Sequence, residues 1–435
     1  MTVFLQSLIV IVFGLVSAFC QISYTHILTR FLSLDLYGDF TVAWNSILLI
    51  SSVVVFGSDL TTQRFLSFYQ IHHNHQKKHD LIYWVLTTLL QSSMILACTY
   101  MLFWLIASIF HISLIYQFDS WHLAMFTVIL APFYAVFLIA NSLIMGYGYI
   151  LLATFLKTVF LNGIQLIVIY SFFNLVDLHG VTGLSSLIMC ILVTIMLINT
   201  LITLLIPNNE IFRSLFTQQA HDHQDKQWPS LSRGFFINTV NYMLVTTMDL
   251  YIIEVFCPKE GLVGLYSICL SMISILFILN ASLSNQLRND IMNIKDMNQK
   301  QLKQLQKSLD IYNLMKLILL ILAVGISWSF RAAIFSFFHV QTTYAYLLLP
   351  LMFFSCYLQD DAYPFAYLMA NGQSYFVEKT RFIATIIMSL TGTILVFPLN
   401  IYGVALATMI ARIFTRVKFI RRYQSMCKIR FYSVI

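Results

Sequence analysis

Carboxylate and ammonium groups occur inside long apolar stretches of this 435-residue chain. The carboxylates are Asp59, Asp249 and the adjacent Asp360 and Asp361, and the cation placed among them is Lys157. A charged residue at the centre of a membrane-spanning helix costs roughly 2.5–3.5 kcal/mol on insertion scales, so such residues tend to face a partner or an aqueous cavity. Groups of this kind can carry a proton or metal ion, or bind a charged solute.

The four carboxylates allow three interpretations. They can couple transport to protons or sodium ions, because a buried carboxylate binds a cation and releases it when a cavity opens. They can also form structural ion pairs with Lys157 or with another span, or line a wet cavity. Asp360 and Asp361 would point about 100° apart on a helix, which does not favour a pair that shares one proton.

Four basic residues are candidates for a phosphate-binding cavity: Arg30, Lys157, His26 and Lys316. An Arg guanidinium can bind phosphate through two hydrogen bonds, whereas Lys acts as a point charge. His26 precedes Arg30 by one helical turn and could assist it or sense pH, but ordinary packing is the alternative. For Lys316, as for Arg412, the alternative is an anchor at the membrane interface.

The elements that must position these residues are apolar runs. Hydrophobic residues make up 59% of the chain and charged residues 10%, with a mean hydropathy of +0.80. Ordinary soluble domains are roughly 25% charged, so a soluble enzyme, a disordered chain and a disulfide scaffold are excluded. The runs are continuous, which predicts spanning helices and not barrel strands. About twelve runs are long enough to span: 5–29, 40–63, 81–110, 121–146, 150–173, 180–206, 234–257, 262–284, 311–335, 343–369, 377–398 and 402–420.

Lysine and arginine are distributed unevenly between the loops. Most lie in alternate loops, around 64–80, 207–233 and 285–310, and in the C-terminal tail. By the positive-inside rule, both termini are predicted to be cytoplasmic. This bias also explains the net charge of +7, so we expect no nucleic-acid partner.

A polar segment at 207–233 divides the runs into two sets of six. We interpret it as a cytoplasmic linker between an N-terminal lobe at 1–206 and a C-terminal lobe at 234–435. The segments 34–41 and 259–267 support a repeat, because each has an acidic residue shortly before Gly38 or Gly264, followed by an aromatic and a hydroxyl residue. The predicted fold is an all-α membrane protein with about twelve transmembrane helices in two six-helix lobes.

Four segments together resemble the Wzx-type polysaccharide flippases of the multidrug/oligosaccharidyl-lipid/polysaccharide exporter superfamily. They are 28–32 with 36–38, 56–66, 248–253 with 263–267, and 397–408. The resemblance implies an inner-membrane flippase that moves a polyprenyl-(pyro)phosphate-linked oligosaccharide for surface polysaccharides such as O-antigen. The implied mechanism is alternating access by rocking lobes. Implied partners are the lipid-linked glycan, the bilayer, and the polysaccharide polymerase and glycosyltransferases.

Other functions remain as alternatives. The first is an ion-coupled multidrug exporter of the same fold group, which a net acidic cavity would favour, whereas a cationic cavity favours the flippase. The second is a membrane glycan polymerase or ligase. The sequence lacks GxSxG, Walker and HExxH motifs, so we expect a transporter with no cofactor other than a coupling proton or sodium ion. We expect no metal site, because the His-rich run 72–79 suits a solvated loop.

Overall fold

The computed structural model describes residues 3–109, 119–175, 180–205, 227–257, 261–292, 299–340, 345–358, 364–365, 367–368 and 371–426. All regular elements in these ranges are helical, which confirms the all-α class. The first nine helices are α1 (Val3–Phe31), α2 (Leu34–Val55), α3 (Ser58–Ile71), α4 (His75–Ile109), α5 (Asp119–Gly146), α6 (Ile150–Phe155), α7 (Leu161–Leu175), α8 (Gly180–Leu205) and α9 (Gln227–Phe256). The others are α10 (Leu262–Met292), α11 (Gln299–Ser329), α12 (Arg331–Phe337), α13 (Leu348–Leu358), α14 (Ser374–Leu399) and α15 (Ile401–Met426).

Within the described ranges, seven helices are long and apolar enough to cross a membrane. The count of twelve spans and the orientation of the termini stay predictions. Several predicted spans have the same bounds as a helix to within three residues. Examples are 121–146, which matches α5, and 377–398, which matches α14.

The second predicted span, 40–63, is wrong at its inner end. Helix α2 ends at Val55, and the backbone takes positive φ values at Phe56 (52°) and Gly57 (71°) before α3 begins. A Cβ atom on Gly57 would collide with the backbone of Ser232 and Phe236, so only glycine fits this turn. As a result, Asp59 lies in the first turn of α3 and not inside a continuous second span.

The predicted linker at 207–233 overlaps the start of α9, which begins at Gln227. Pro229 is tolerated there because the first turn of a helix has no backbone donors to lose. Trp228 is buried, and its Nε1 donates a hydrogen bond of 3.0 Å to the hydroxyl of Tyr69. This first turn is therefore anchored to α3.

The described chain forms two compact units, whose bounds differ from the predicted lobes. Unit 1 contains residues 1–38 and 244–435, and unit 2 contains residues 39–243. Helix α1 belongs to unit 1 because it packs along α10, while the first half of α9 belongs to unit 2. The division into six-helix lobes stays a prediction.

In unit 1, the two repeated segments meet. A Cβ atom on Gly38 would lie 3.0 Å from the backbone nitrogen of Gly264, and one on Gly264 would collide with the carbonyl of Leu34. Helices α14 and α15 form a tight antiparallel pair, in which Gly403 lies against the backbone of Leu395. These contacts require glycine because the backbones approach too closely for any side chain.

In unit 2, the core lies between α3, α4, α5 and the start of α9. It is built on the aromatic residues Tyr69, Trp84 and Trp228, with Leu66 and Val85 fully buried beside them. The Trp84 and Trp228 rings are 6.0 Å apart. Helices α3 and α5 are also joined by a hydrogen bond of 3.1 Å from Nε2 of Gln63 to Oγ of Ser142. The core therefore fixes α3 and the Asp59 that it carries.

Candidate functional site

Asp249 is a buried carboxylate on α9 in unit 1, only 2% exposed. The hydroxyl of Tyr266, on α10, donates a hydrogen bond of 2.9 Å to its Oδ2, and the backbone N–H of Leu250 donates one of 3.0 Å to its Oδ1. Hydrogen bonds to a charged group are stronger than those between neutral groups, and they offset part of the cost of burial. Asp249 is thus held in one position by its own helix and by α10.

A small cavity of about 10 Å³, room for about one water molecule, opens beside Asp249 within unit 1. Its polar wall consists of Asp249, Tyr266, Ser355, Thr408 and Arg412. Arg412, on α15, donates a hydrogen bond of 3.1 Å from Nη1 to the hydroxyl of Ser355 and acts electrostatically on Asp249. The prediction of an interface anchor at Arg412 is corrected, because its guanidinium faces this cavity. The cavity can bind a small polar group between a fixed carboxylate and a guanidinium.

Lys316 and Arg416 contact the same aromatic ring, that of Tyr357 on α13. The Nζ of Lys316 lies 4.6 Å from the ring centroid and donates a hydrogen bond of 2.9 Å to the Tyr357 carbonyl. The guanidinium carbon of Arg416 lies 5.3 Å from the same centroid. Lys316 is 3% exposed and Arg416 is 6% exposed, so neither reaches out to an interface. Cation–π contacts of this kind are worth about 2 kcal/mol when desolvated.

In unit 2, Asp59 and Lys157 form a more accessible charged pair. Lys157 is exposed and acts electrostatically on Asp59, which is half-buried in the first turn of α3. One oxygen of Asp59, Oδ1, is buried and has no hydrogen-bond partner among the described residues. Among the three interpretations of this carboxylate, the position suits both an ion pair with Lys157 and a cavity wall.

Lys157 projects from a five-residue π-helical turn, Leu156–Phe160, between α6 and α7. Such turns are rare, because they replace the regular hydrogen bonds with wider ones, and they are frequent at functional sites. Leu156 is fully buried on one side of this turn, which fixes the adjacent Lys157 on the other. No periodicity in the sequence indicates this turn.

The remaining predicted cations lie at the far end of α1, in unit 1. His26 donates from Nδ1 to the carbonyl of Phe337 over 2.7 Å, and its ring stacks on the rings of Phe337 and His339 at 4.2 and 5.5 Å. Arg30 is exposed and lies over the ring of Phe31 at 5.6 Å. The geometry of His26 therefore matches the packing alternative, whereas Arg30 is accessible.

Asp360 and Asp361 fall outside the described residues. The sequence reasoning missed three residues of unit 1: Tyr266, Tyr357 and Arg416. Arg416 could have been found from its spacing, because it follows Arg412 by one helical turn and so shares its face. The two tyrosines carry no such signal among the 23 tyrosines of the chain.

The described residues contain no group of three or more His, Cys, Asp or Glu side chains that could hold a metal ion. The chain offers no ligand cluster for a resident metal in those ranges. Asp249 is the buried acidic residue among the described residues of unit 1, and polar side chains surround its carboxylate.

No protein-family model matches the chain, and no curated protein matches its sequence. Solved structures do match over 97% of the chain. An inward-facing multidrug resistance transporter of the MATE family, in the MOP superfamily, aligns with a TM-score of 0.69 at 11% identity over 99% of its length. The lipid II flippase MurJ in an inward closed conformation aligns with a TM-score of 0.64 at 16% identity over 87% of its length. A MOP superfamily transporter from Pyrococcus furiosus, whose binding pocket is described as having reverse polarity, aligns with a TM-score of 0.62 at 13% identity over 95% of its length.

These alignments show that the chain has the fold of MOP-superfamily transporters. Together with its apolar helices, this fold marks it as a multi-pass membrane protein. At 11 and 16% identity the alignments with a MATE transporter and a lipid flippase show the fold alone, so the expectations of a transport protein and of the exporter superfamily stay predictions. The likeness to Wzx-type flippases in particular remains a prediction.

Proposed function

We propose that the protein is a flippase that moves a polyprenyl-(pyro)phosphate-linked oligosaccharide from the cytoplasmic to the outer leaflet of the inner membrane, for surface polysaccharide synthesis. The observation that carries this proposal is the excess of positive charge among the described interior residues of unit 1. Lys316, Arg412 and Arg416 face its interior, against one described buried carboxylate, Asp249. Removing a cation from water is unfavourable in free energy, and the binding of an anionic solute offsets part of that free energy.

The accessible Lys157 of unit 2 and the exposed Arg30 extend this argument. Both can attract an anionic head group at an earlier stage of binding, because they are exposed while Lys316 and Arg416 are buried. We propose that Asp59 and Asp249 serve as counter-ions or as sites of proton or sodium coupling. The polysaccharide polymerase and glycosyltransferases are proposed partners because they act on the same lipid-linked cargo.

An ion-coupled multidrug exporter is the second candidate. It is favoured by the buried carboxylate of Asp249, since a carboxylate in a transporter of this fold could attract a cationic drug, and by the similarity to MATE multidrug transporters. Against it, Arg412 lines the same cavity as Asp249 and would repel a cation. A glycan polymerase or ligase has no support from a specific contact, but its loss would give a different product pattern.

The experiment uses a strain in which the gene is deleted. Polyprenyl-linked glycans are extracted from it, and the leaflet in which they lie is determined with a glycan-modifying enzyme that cannot cross the membrane. The flippase predicts a glycan that accumulates on the cytoplasmic side while surface polysaccharide is lost. A polymerase or ligase would instead leave single repeat units transferred or accumulated on the outer side. The wild-type gene supplied on a plasmid should restore the surface polysaccharide.

Matched variants test the charge argument in the same strain. Lys316→Gln should restore less surface polysaccharide than Lys307→Gln, because Lys316 is buried and Lys307 is exposed. The two variants are matched, since both remove a lysine from α11. Membrane abundance of both variants is measured as the control. Normal surface glycan without a stranded intermediate, in a strain with no second flippase, would contradict the proposal. Increased drug sensitivity in that strain would then favour the exporter.

A further inference from the structure

We infer that Arg416 and Lys316 form a phosphate-binding site beside Tyr357 in unit 1, which takes the phosphate group of a polyprenyl phosphate lipid. The site was not apparent from the sequence, because Arg416 lies close enough to the predicted inner end of the last span to pass for an interface residue. The choice of lipid rests on the proposed function, but the phosphate chemistry rests on the contacts alone.

Arg416 is a buried cation without a counter-ion in the described part of the chain. It is 6% exposed, and its Nε and Nη1 have no hydrogen-bond partner there. Buried polar groups almost always have partners, and an unpaired buried charge is especially unfavourable. The stacking of Arg416 on Tyr357 places the guanidinium but satisfies neither nitrogen. The guanidinium is thus poised to donate to a ligand.

Lys316 adds a second cation at the same ring. Its Nζ and the guanidinium carbon of Arg416 lie 4.6 and 5.3 Å from the Tyr357 centroid, so both buried cations contact the same ring. An anion that bound beside this ring would be attracted by both charges, and the attraction is strongest where water is excluded. Among the described residues, the cation that acts on Asp249 is Arg412 and not Arg416 or Lys316, so Asp249 does not fill this role.

The depth of the two residues matches a lipid head group in the cytoplasmic leaflet. At 1.5 Å per residue, Arg416 lies about 22 Å along α15 from Ile401, and Lys316 lies about 20 Å before Ser329 at the end of α11. With the predicted orientation, both positions fall in the inner half of a hydrocarbon core that is about 30 Å thick. A phosphate group can reach that level from the head-group region while its polyprenyl chain stays in the bilayer.

The experiment measures lipid binding to the purified full-length protein in detergent by native mass spectrometry. The probes are polyprenyl phosphate, the matched uncharged polyprenol, and inorganic phosphate as a competitor. Wild-type protein should bind polyprenyl phosphate more tightly than polyprenol. Arg416→Gln should weaken the binding of polyprenyl phosphate about tenfold and leave the binding of polyprenol unchanged, as expected for the loss of one charge-assisted interaction. Arg416→Lys should retain part of the preference for polyprenyl phosphate over polyprenol.

The matched control is Lys418→Gln, which removes an exposed cation from the same helix and should change nothing. Competition by inorganic phosphate would show that the phosphate group alone is recognised, and its absence would show that the lipid head group is required; both outcomes support the site. Equal binding of polyprenyl phosphate by wild type and Arg416→Gln would overturn it. So would a variant that is unstable alone but regains both stability and lipid binding with Asp360→Asn or Asp361→Asn, since Arg416 would then be ion-paired.

The site and the proposed function can fail separately. If Arg416→Gln binds lipid normally while the deletion strain still accumulates lipid-linked glycan, the function stands and the site is wrong. If the phosphate lipid binds as expected while the deletion strain is normal, the site stands and the function is wrong.

Discussion

Unit 1 and unit 2 each combine a carboxylate with a cation, but they hold these charges differently. In unit 1, Asp249 is buried, both of its oxygens are hydrogen-bonded, and Arg412 faces it across a cavity. In unit 2, Asp59 is half-buried, its buried Oδ1 has no partner in the part of the chain that the structure describes, and Lys157 is exposed. The difference shows that charged residues of apolar runs can be held differently: the charges of unit 1 are fixed by the fold, whereas Lys157 of unit 2 remains exposed.

The backbone break before α3 places Asp59, and its disruption should give the largest effect. Gly57→Ala should lower the free energy of unfolding by about 3 kcal/mol or more, because the new Cβ atom would meet the backbone of Ser232 and Phe236 at a positive φ. Gly148→Ala is the matched control, since its φ is also positive but nothing lies within 4 Å of the added atom. Titration with SDS measures both, and equal losses would show that the close contact at Gly57 is unimportant.

The buried charges of unit 1 should be sensitive to the loss of one partner. Arg412→Ala should destabilise the protein by about 3 kcal/mol, because it leaves Asp249 buried without its nearest described cation. The free energy of unfolding is again measured in SDS. A loss below that of a typical exposed residue would mean that Asp249 is uncharged in the folded protein or has another cation.

A double-mutant cycle tests whether Asp249 and Arg412 interact. Asp249→Asn combined with Arg412→Met should be less destabilised than the two single variants would give together, with a coupling energy of about 1–2 kcal/mol. Asp249→Asn with Lys418→Gln is the matched control, because Lys418 is exposed on the same helix as Arg412. Additive effects in both pairs would argue against an electrostatic link across the cavity.

The accessible pair of unit 2 should matter least to stability. Lys157→Gln should change the free energy of unfolding by less than about 1 kcal/mol, because the Lys157 side chain is exposed and buries little surface in the fold. It should nevertheless reduce complementation of the deletion strain if Lys157 attracts an anionic cargo. A large loss of stability with normal complementation would show that Lys157 has a structural role and does not attract the cargo.

The sequence predicted the fold class and several helix bounds, because long apolar runs leave few alternatives to spanning helices. It also drew attention to Asp249, Lys157 and Lys316, since charged residues are conspicuous in such runs, and their roles stay predictions. It misplaced Asp59, because the break at Phe56 and Gly57 lies within an apolar run that shows no change of hydropathy. It missed Arg416 and its contact with Tyr357. The spacing of Arg416 from Arg412 is visible in the sequence, but the burial of Arg416 depends on which helices pack together, and the sequence does not show that.

The most direct test of the account is reconstitution of the purified protein in liposomes with the lipid-linked glycan isolated from the deletion strain. A glycan-modifying enzyme added outside measures how fast the inner pool becomes accessible. The account predicts faster exposure with wild-type protein than in empty liposomes, slower exposure with Arg416→Gln, and wild-type rates with Lys418→Gln. An unchanged rate relative to empty liposomes, with uptake of a cationic dye by the same vesicles, would contradict the flippase and favour the exporter.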